Sequence, residues 1–121
     1  MTKGKFIRNT PLITVKLGWG AKVKSYYFVL DTGFTGSLQV TPLIAHELDL
    51  QTTGVAKVCI ADGSIVSAMT AEILASMEGK IEAFEVLISG KMSLAGISFL
   101  TKFGYAATVD CKKRKVVLRR D

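Results

Sequence analysis

A chain of 121 residues, 49% hydrophobic and 21% charged, is long enough for one real core and too apolar to stay disordered. A single domain over residues 1–121 is therefore expected. Its net charge of +6 excludes no partner by itself, but no apolar run nears the roughly 20 residues a membrane helix needs, so no membrane partner is expected. The N-terminal stretch "MTKGKFIRNTPLITVKLGWG" is cationic without a continuous apolar segment. It does not read as a signal peptide, and a cytoplasmic location is the default.

In chain order the pattern is mainly that of strands. "LITVKL" (12–17) and "VKSYYFVL" (23–30) flank "GWGAK", a hairpin connection in which Gly18 and Gly20 supply unusual backbone angles and Trp19 sits at the tip. A turn around Asp31 leads to a short strand, "SLQVT". "TPLIAHELDL" reads as a helix capped by Thr41, with Pro42 in the first position and Leu43, Ile44 and Leu48 at helical spacing. His46 is the only histidine. A Ser–His–Asp arrangement using it and Asp49 lacks a strained nucleophile turn nearby, so an exposed helix histidine is the better reading.

"GVAKVCIADGSIVSAMTAEILASM" contains two β-branched runs separated by "ADGS", where Asp62 and Gly63 signal a tight turn. This predicts a β-hairpin with Asp62 as a turn residue. "KIEAFEVLIS" (80–89) adds a strand with Lys80, Glu82 and Glu85 at exposed positions. "LAGISFLTKFG" combines a short strand with one or two helical turns ended by Gly104. "ATVDC" and "KVVLRR" close the chain as a hairpin, giving an all-β class: mainly β with two short helices.

Cys59 and Cys111 lie far apart without CxxC spacing. They read as two buried or half-buried free thiols and not as a disulfide; together with His46 they are too few for zinc, and no metal is expected. Six of the 16 basic residues, Lys112, Lys113, Arg114, Lys115, Arg119 and Arg120, crowd the C-terminal segment. Their summed field could attract nucleic acid or an acidic partner. With no interleaved aromatics and no nucleic-acid motif, the favoured alternative is a turn followed by an edge strand kept soluble by cations.

The unusual feature is Asp31. Five apolar or aromatic residues, 26–30, run straight into it, and Thr32, Gly33 and then Gly36 follow. Asp in a strand-ending turn often only replaces ladder partners. A carboxylate at the end of a core strand, however, is rare unless it is paired or heavily hydrogen-bonded. Thr32 adds a hydroxyl that donates and accepts, and Gly33 lets another backbone or a substrate come close.

"LDTGFTGSL" resembles the active-site loop of the retropepsin-like aspartic proteases, most closely the small prokaryotic branch whose signature reads Asp-Thr-Gly-Phe. "LAGISFLTKFG" resembles that family's second motif, "VCIADGSIV" lies where the family has its flap hairpin, and "ATVDCKKRKVVL" resembles its closing hairpin. The resemblance spans roughly residues 10 to 120. It implies a single-lobe, closed β-barrel acid-protease fold and an aspartic endopeptidase acting on peptide or unfolded protein. Because one lobe brings one such acid, it also implies a homodimer in which Asp31 faces its symmetry mate. Water would be the nucleophile, with no cofactor. Thr32 would bond across the two-fold axis, Gly33 would help hold the acid, and Leu94, Ala95 and Gly96 would pack behind the loop. Ala61, Asp62 and Gly63 would cover the substrate.

Two departures bear on specificity. Phe34 replaces the small residue that often follows the glycine, and Ala95 is smaller than the usual Leu or Ile, leaving space that Phe34 is expected to fill. Two rival readings use the same residues: a retropepsin fold acting as a catalytically weak or inactive peptide-binding or assembly module, and a basic β-domain for nucleic acid in which Asp31 is purely structural. Nucleic acid is the less favoured partner.

Overall fold

The computed structural model of the chain describes residues 1–120 and is mostly strand. Two short strands open it, β1 (Thr2–Lys3) and β2 (Lys5–Ile7), followed by the hairpin of β3 (Thr10–Trp19) and β4 (Lys22–Leu30). Then come β5 (Leu38–Val40), helix α1 (Pro42–Glu47), β6 (Thr52–Cys59), β7 (Ile65–Met77) and β8 (Lys80–Ile88). Strand β9 (Leu94–Ala95), helix α2 (Ile97–Phe103) and the hairpin of β10 (Ala106–Asp110) and β11 (Lys115–Arg119) follow.

Side-chain periodicity explains the long strands. β3 buries Ile13, Val15 and Leu17 and exposes Thr14 and Lys16 between them, the two-residue repeat of a half-buried strand. Its hairpin is tighter than the sequence predicts. Trp19 pairs with Lys22, so only Gly20 and Ala21 form the turn, and Gly20 alone of the two expected glycines takes a left-handed φ, +58°.

Helix α1 starts as its cap residues dictate, with the Thr41 hydroxyl accepting the Ile44 N–H at 3.3 Å. It buries Ile44 and Leu48 but leaves Leu43 66% exposed, so Leu43 is not a core position. Helix α2 ends at Gly104, whose φ of +73° is the left-handed stop expected there.

Eight strands form one sheet in the order β2-β3-β4-β9-β5-β8-β7-β6, and β3 pairs a second time, with β7, so the pairings return on themselves. The enclosed core combines β3, β4, β5, β7 and β8 with both helices. Phe84, Phe99 and Phe103 meet inside it at ring-centroid distances of 5.0 to 5.7 Å and anchor α2. Burying such a ring contributes about 1.5–3 kcal/mol.

A second sheet, β1-β11-β10, lies at the chain ends. Strand β11 is its centre, not the edge strand that the basic C-terminal sequence suggests, because the N-terminal β1 pairs along its other side. Gly4 lets the chain cross from this sheet to the larger one. Its N–H donates to the Val116 carbonyl at 2.8 Å, and a Cβ there would lie 2.1 Å from the Leu12 oxygen.

Candidate functional site

Strand β4 ends at Leu30 with its last two residues paired in parallel to β9, Val29 to Leu94 and Leu30 to Ala95. On its other side β9 pairs antiparallel with β5. Loop 31–37 must therefore bridge two strands that are separated by a third, and it does so across the start of α2.

Four hydrogen bonds fasten it there. Gly96 N–H donates to Ser37 O at 2.8 Å, Ile97 N–H to Phe34 O at 2.9 Å and Ser98 N–H to Gly36 O at 3.1 Å. The Ser98 hydroxyl donates to Thr35 O at 2.6 Å. A helix leaves its first amides without internal partners. Here loop carbonyls take the place of a side-chain cap, and Gly96 at the cap position provides none.

Such close approach demands glycine. A Cβ on Gly96 would lie 2.4 Å from the backbone oxygens of both Gly36 and Phe34, and one on Gly36 would meet the Phe34 ring at 2.6 Å. The half-buried Phe34 ring thus occupies space that the missing side chains of Gly36 and Gly96 provide. Sequence reasoning, which looked to Ala95 for that space, overlooked these two positions.

Asp31 sits at the rim of this assembly. Leu30 before it is buried, while Asp31 is half-buried and Thr32 and Gly33 are exposed. The Asp31 N–H donates to Ala95 O at 2.9 Å, and its carbonyl accepts the Phe34 N–H at 3.1 Å. Its carboxylate Oδ1 accepts the Gly33 N–H at 3.0 Å. A Cβ on Gly33 would lie 3.2 Å from that oxygen and crowd it. The backbone around the acid is committed on both sides, while one carboxylate oxygen stays uncommitted within the described residues. The Thr32 hydroxyl likewise has no hydrogen-bond partner among them. Backbone pairing thus ties Asp31 to Ala95, while Thr32 and Gly33 have no backbone bond to residues 94–96 among the described residues.

A cavity of about 440 Å³ opens beside the loop, between residues 33–38, the last four residues of β6 and the middle of β8, with Lys57, Cys59 and Glu85 among its polar lining. Asp31 and Thr32 are not among its lining residues, and no sequence motif marked β6 or β8 as neighbours of the residues that follow them. That proximity follows from the β5–β8 pairing, which brings Leu38 opposite Val86.

Ala61, Asp62 and Gly63 occupy the tip of the β6–β7 hairpin, where Gly63 has a φ of +86°. All three are exposed and none lines that cavity. Asp62 Oδ1 accepts the Ser64 N–H at 2.8 Å and its hydroxyl at 2.6 Å. Those bonds hold its carboxyl below the usual range. The hairpin is unusually apolar for its exposure: Val55, Ile60, Ile65, Val66 and Met69 are all open to solvent.

Elsewhere, His46 is exposed on α1. Its neighbour Glu47 accepts hydrogen bonds from Tyr26 at 3.0 Å and Lys24 at 3.2 Å. These bonds lower the Glu47 pKa, while burial and the Glu47 bond push Tyr26 up to about 12. Both cysteines are free, as expected, but exposed and not buried or half-buried. The reason is position: Cys59 ends the projecting β6 and Cys111 lies in the turn after β10. Among the described residues, no helix is long and apolar enough to cross a membrane. No protein-family model matches the chain, and no curated protein matches it at a significant level.

Proposed function

We propose that the protein is an aspartic endopeptidase of retropepsin-like, closed-barrel fold, active as a homodimer, in which Asp31 and its symmetry mate activate water against a peptide bond. The supporting observation is the Asp31 loop. Its backbone is fixed at both ends by β9 and α2, its half-buried carboxylate keeps an oxygen free, and the residues that follow, 33–38, line a cavity. A purely structural turn aspartate has no need of such backing.

A single carboxylate can hold or accept a proton, but hydrolysis of an amide calls for both at once. Two like acids brought close cannot both ionise cheaply, so the pair retains one proton over a broad pH range. The ionised member takes a proton from water as the oxygen attacks the scissile carbonyl. The protonated member donates to the carbonyl oxygen, giving a neutral tetrahedral diol; proton transfer to the leaving amine then breaks the C–N bond. Gly33 holds Oδ1 in place, and Thr32 is free to bond to the partner's loop. The apolar β6–β7 hairpins close over an extended peptide, with Ala61, Asp62 and Gly63 as the moving cover.

Digestion of unfolded casein at mildly acidic pH, run beside sedimentation at several concentrations, tests this. Cleavage by the wild type that is lost in a folded Asp31→Asn dimer supports it. A dimer that binds peptide without cutting it would favour the binding-module reading of the same fold.

A further inference from the structure

A second cavity, about 570 Å³, lies on the sheet at the chain ends and shares no lining residue with the one lined by residues 33–38. Strand alternation places Lys115, Val117 and Arg119 on one face of β11, with Val116 and Leu118 buried beneath. Lys3 of β1 is in register with Val117 and so joins that face. Arg114 and Lys5 complete the cationic lining.

Edge protection does not explain Lys115 and Arg119, since β11 is the central strand, although Lys3 and Lys5 lie on the edge strands β1 and β2. Nor are these cations neutralised: among the described residues no ion pair engages any of the five, and no carboxylate lines the cavity. Two acids of neighbouring strands and turns, among the described residues, have partners of their own. Asp110, opposite Lys115 in the ladder, accepts the Lys113 N–H at 2.9 Å, and Glu78 holds the N-terminal amine at 2.6 Å. Arg114 is fixed in advance. Its guanidinium stacks 5.2 Å from the Phe6 ring and donates to Asn9 Oδ1 at 3.4 Å and to the Arg8 carbonyl. The Lys5 ammonium rests 4.3 Å over the Tyr27 ring.

Converging like charges around a concavity repel one another until an anion joins them. We propose that this cavity binds a small anion carrying two or more phosphate groups, with Arg114 supplying a planar fork and Lys3, Lys115 and Arg119 point contacts. Its volume is that of a small-molecule site. The charge does not continue as a track: β10 offers Ala106, Thr108 and Asp110 in register with Arg119, Val117 and Lys115, and Lys112 and Lys113 lie outside the lining. A nucleic-acid strand needs cations along several nucleotides.

Calorimetric titration of the full chain with sodium tripolyphosphate at physiological ionic strength is the test. One anion should bind per chain. Lys3→Ala/Arg119→Ala should weaken binding roughly tenfold or more, while Lys22→Ala/Lys91→Ala, with the same charge loss, should change it by about twofold or less. Should the double variant unfold, Lys3→Ala alone, at an exposed side chain, carries the test and should still weaken binding severalfold. The proposal is overturned by absent binding, by equal loss in both double variants, or by an unchanged affinity in folded Lys3→Ala. It is also overturned if oligouridylate or polyglutamate binds more tightly than tripolyphosphate.

Discussion

Two aspartates in this molecule make the same local hydrogen bond and sit in opposite surroundings. Asp31 accepts the N–H of Gly33 and Asp62 that of Ser64, each two residues on, at 3.0 and 2.8 Å. Behind Asp31 stand β9, the start of α2 and the Phe84–Phe99–Phe103 cluster that anchors that helix. Behind Asp62 there is only its own hairpin, with Ile60 and Ser64 bonded across the turn. The lesson is that an Asp-led turn does not distinguish a positioned acid from a loop tip; what its backbone is tied to does.

The sharpest way to break the comparison is to exchange each acid for its amide. Asp31→Asn should reduce peptide cleavage by roughly 10²–10⁴-fold, while Asp62→Asn should leave the rate within a few-fold in the same casein assay. Equal losses would mean that the two turns share a role. Next is the support itself. Phe99→Ala should cost about 3–5 kcal/mol in urea unfolding, since Phe99 is fully buried, and a loss near zero would detach the helix from the account.

Gly96→Ala should cost about 1–3 kcal/mol by overpacking against two backbone oxygens. At the other turn, Gly63→Ala meets open space and should cost only about 1 kcal/mol for its left-handed φ. If the second cost exceeds the first, the loop is less tightly fastened than described.

The smallest effect is a titration. Ser64 holds the Asp62 carboxyl low, so that contribution to stability is present above the unfolded-state pKa and lost as pH falls through the lowered folded value. Followed by NMR, the Asp62 midpoint should lie below 3.8 and move up in Ser64→Ala. An unmoved midpoint would remove Ser64 as its cause.

Much of this architecture was legible because it is written in local chemistry. Alternation marked β3, Thr41 and Pro42 marked the start of α1, and Gly104 marked the end of α2. The Asp31 string and the "LAGISFLTKFG" string were each visible in the sequence, and β9 pairs with the end of the strand that leads into Asp31. What escaped was set by pairing between distant segments. Nothing local in "TKGKFI" says that Lys3 will lie beside Val117 and make β11 a central strand. The packing of Phe34 into the space left by Gly96 likewise depends on a neighbour far along the chain. The cavity lined by residues 33–38 was invisible for the same reason: Lys57 and Glu85 come to it only through the β5–β8 and β6–β7–β8 ladders.

The claim most exposed to test is that one chain's acid works only with its twin. Wild-type protein at fixed concentration should be titrated with folded Asp31→Asn chains under conditions where subunits exchange, and peptide cleavage followed. Mixed pairs hold one acid and one amide, so with the wild-type amount held fixed, activity should fall in proportion to the wild-type fraction of all chains. Activity that stays constant per wild-type chain, whatever the excess of mutant, would contradict the account and leave Asp31 without a partner.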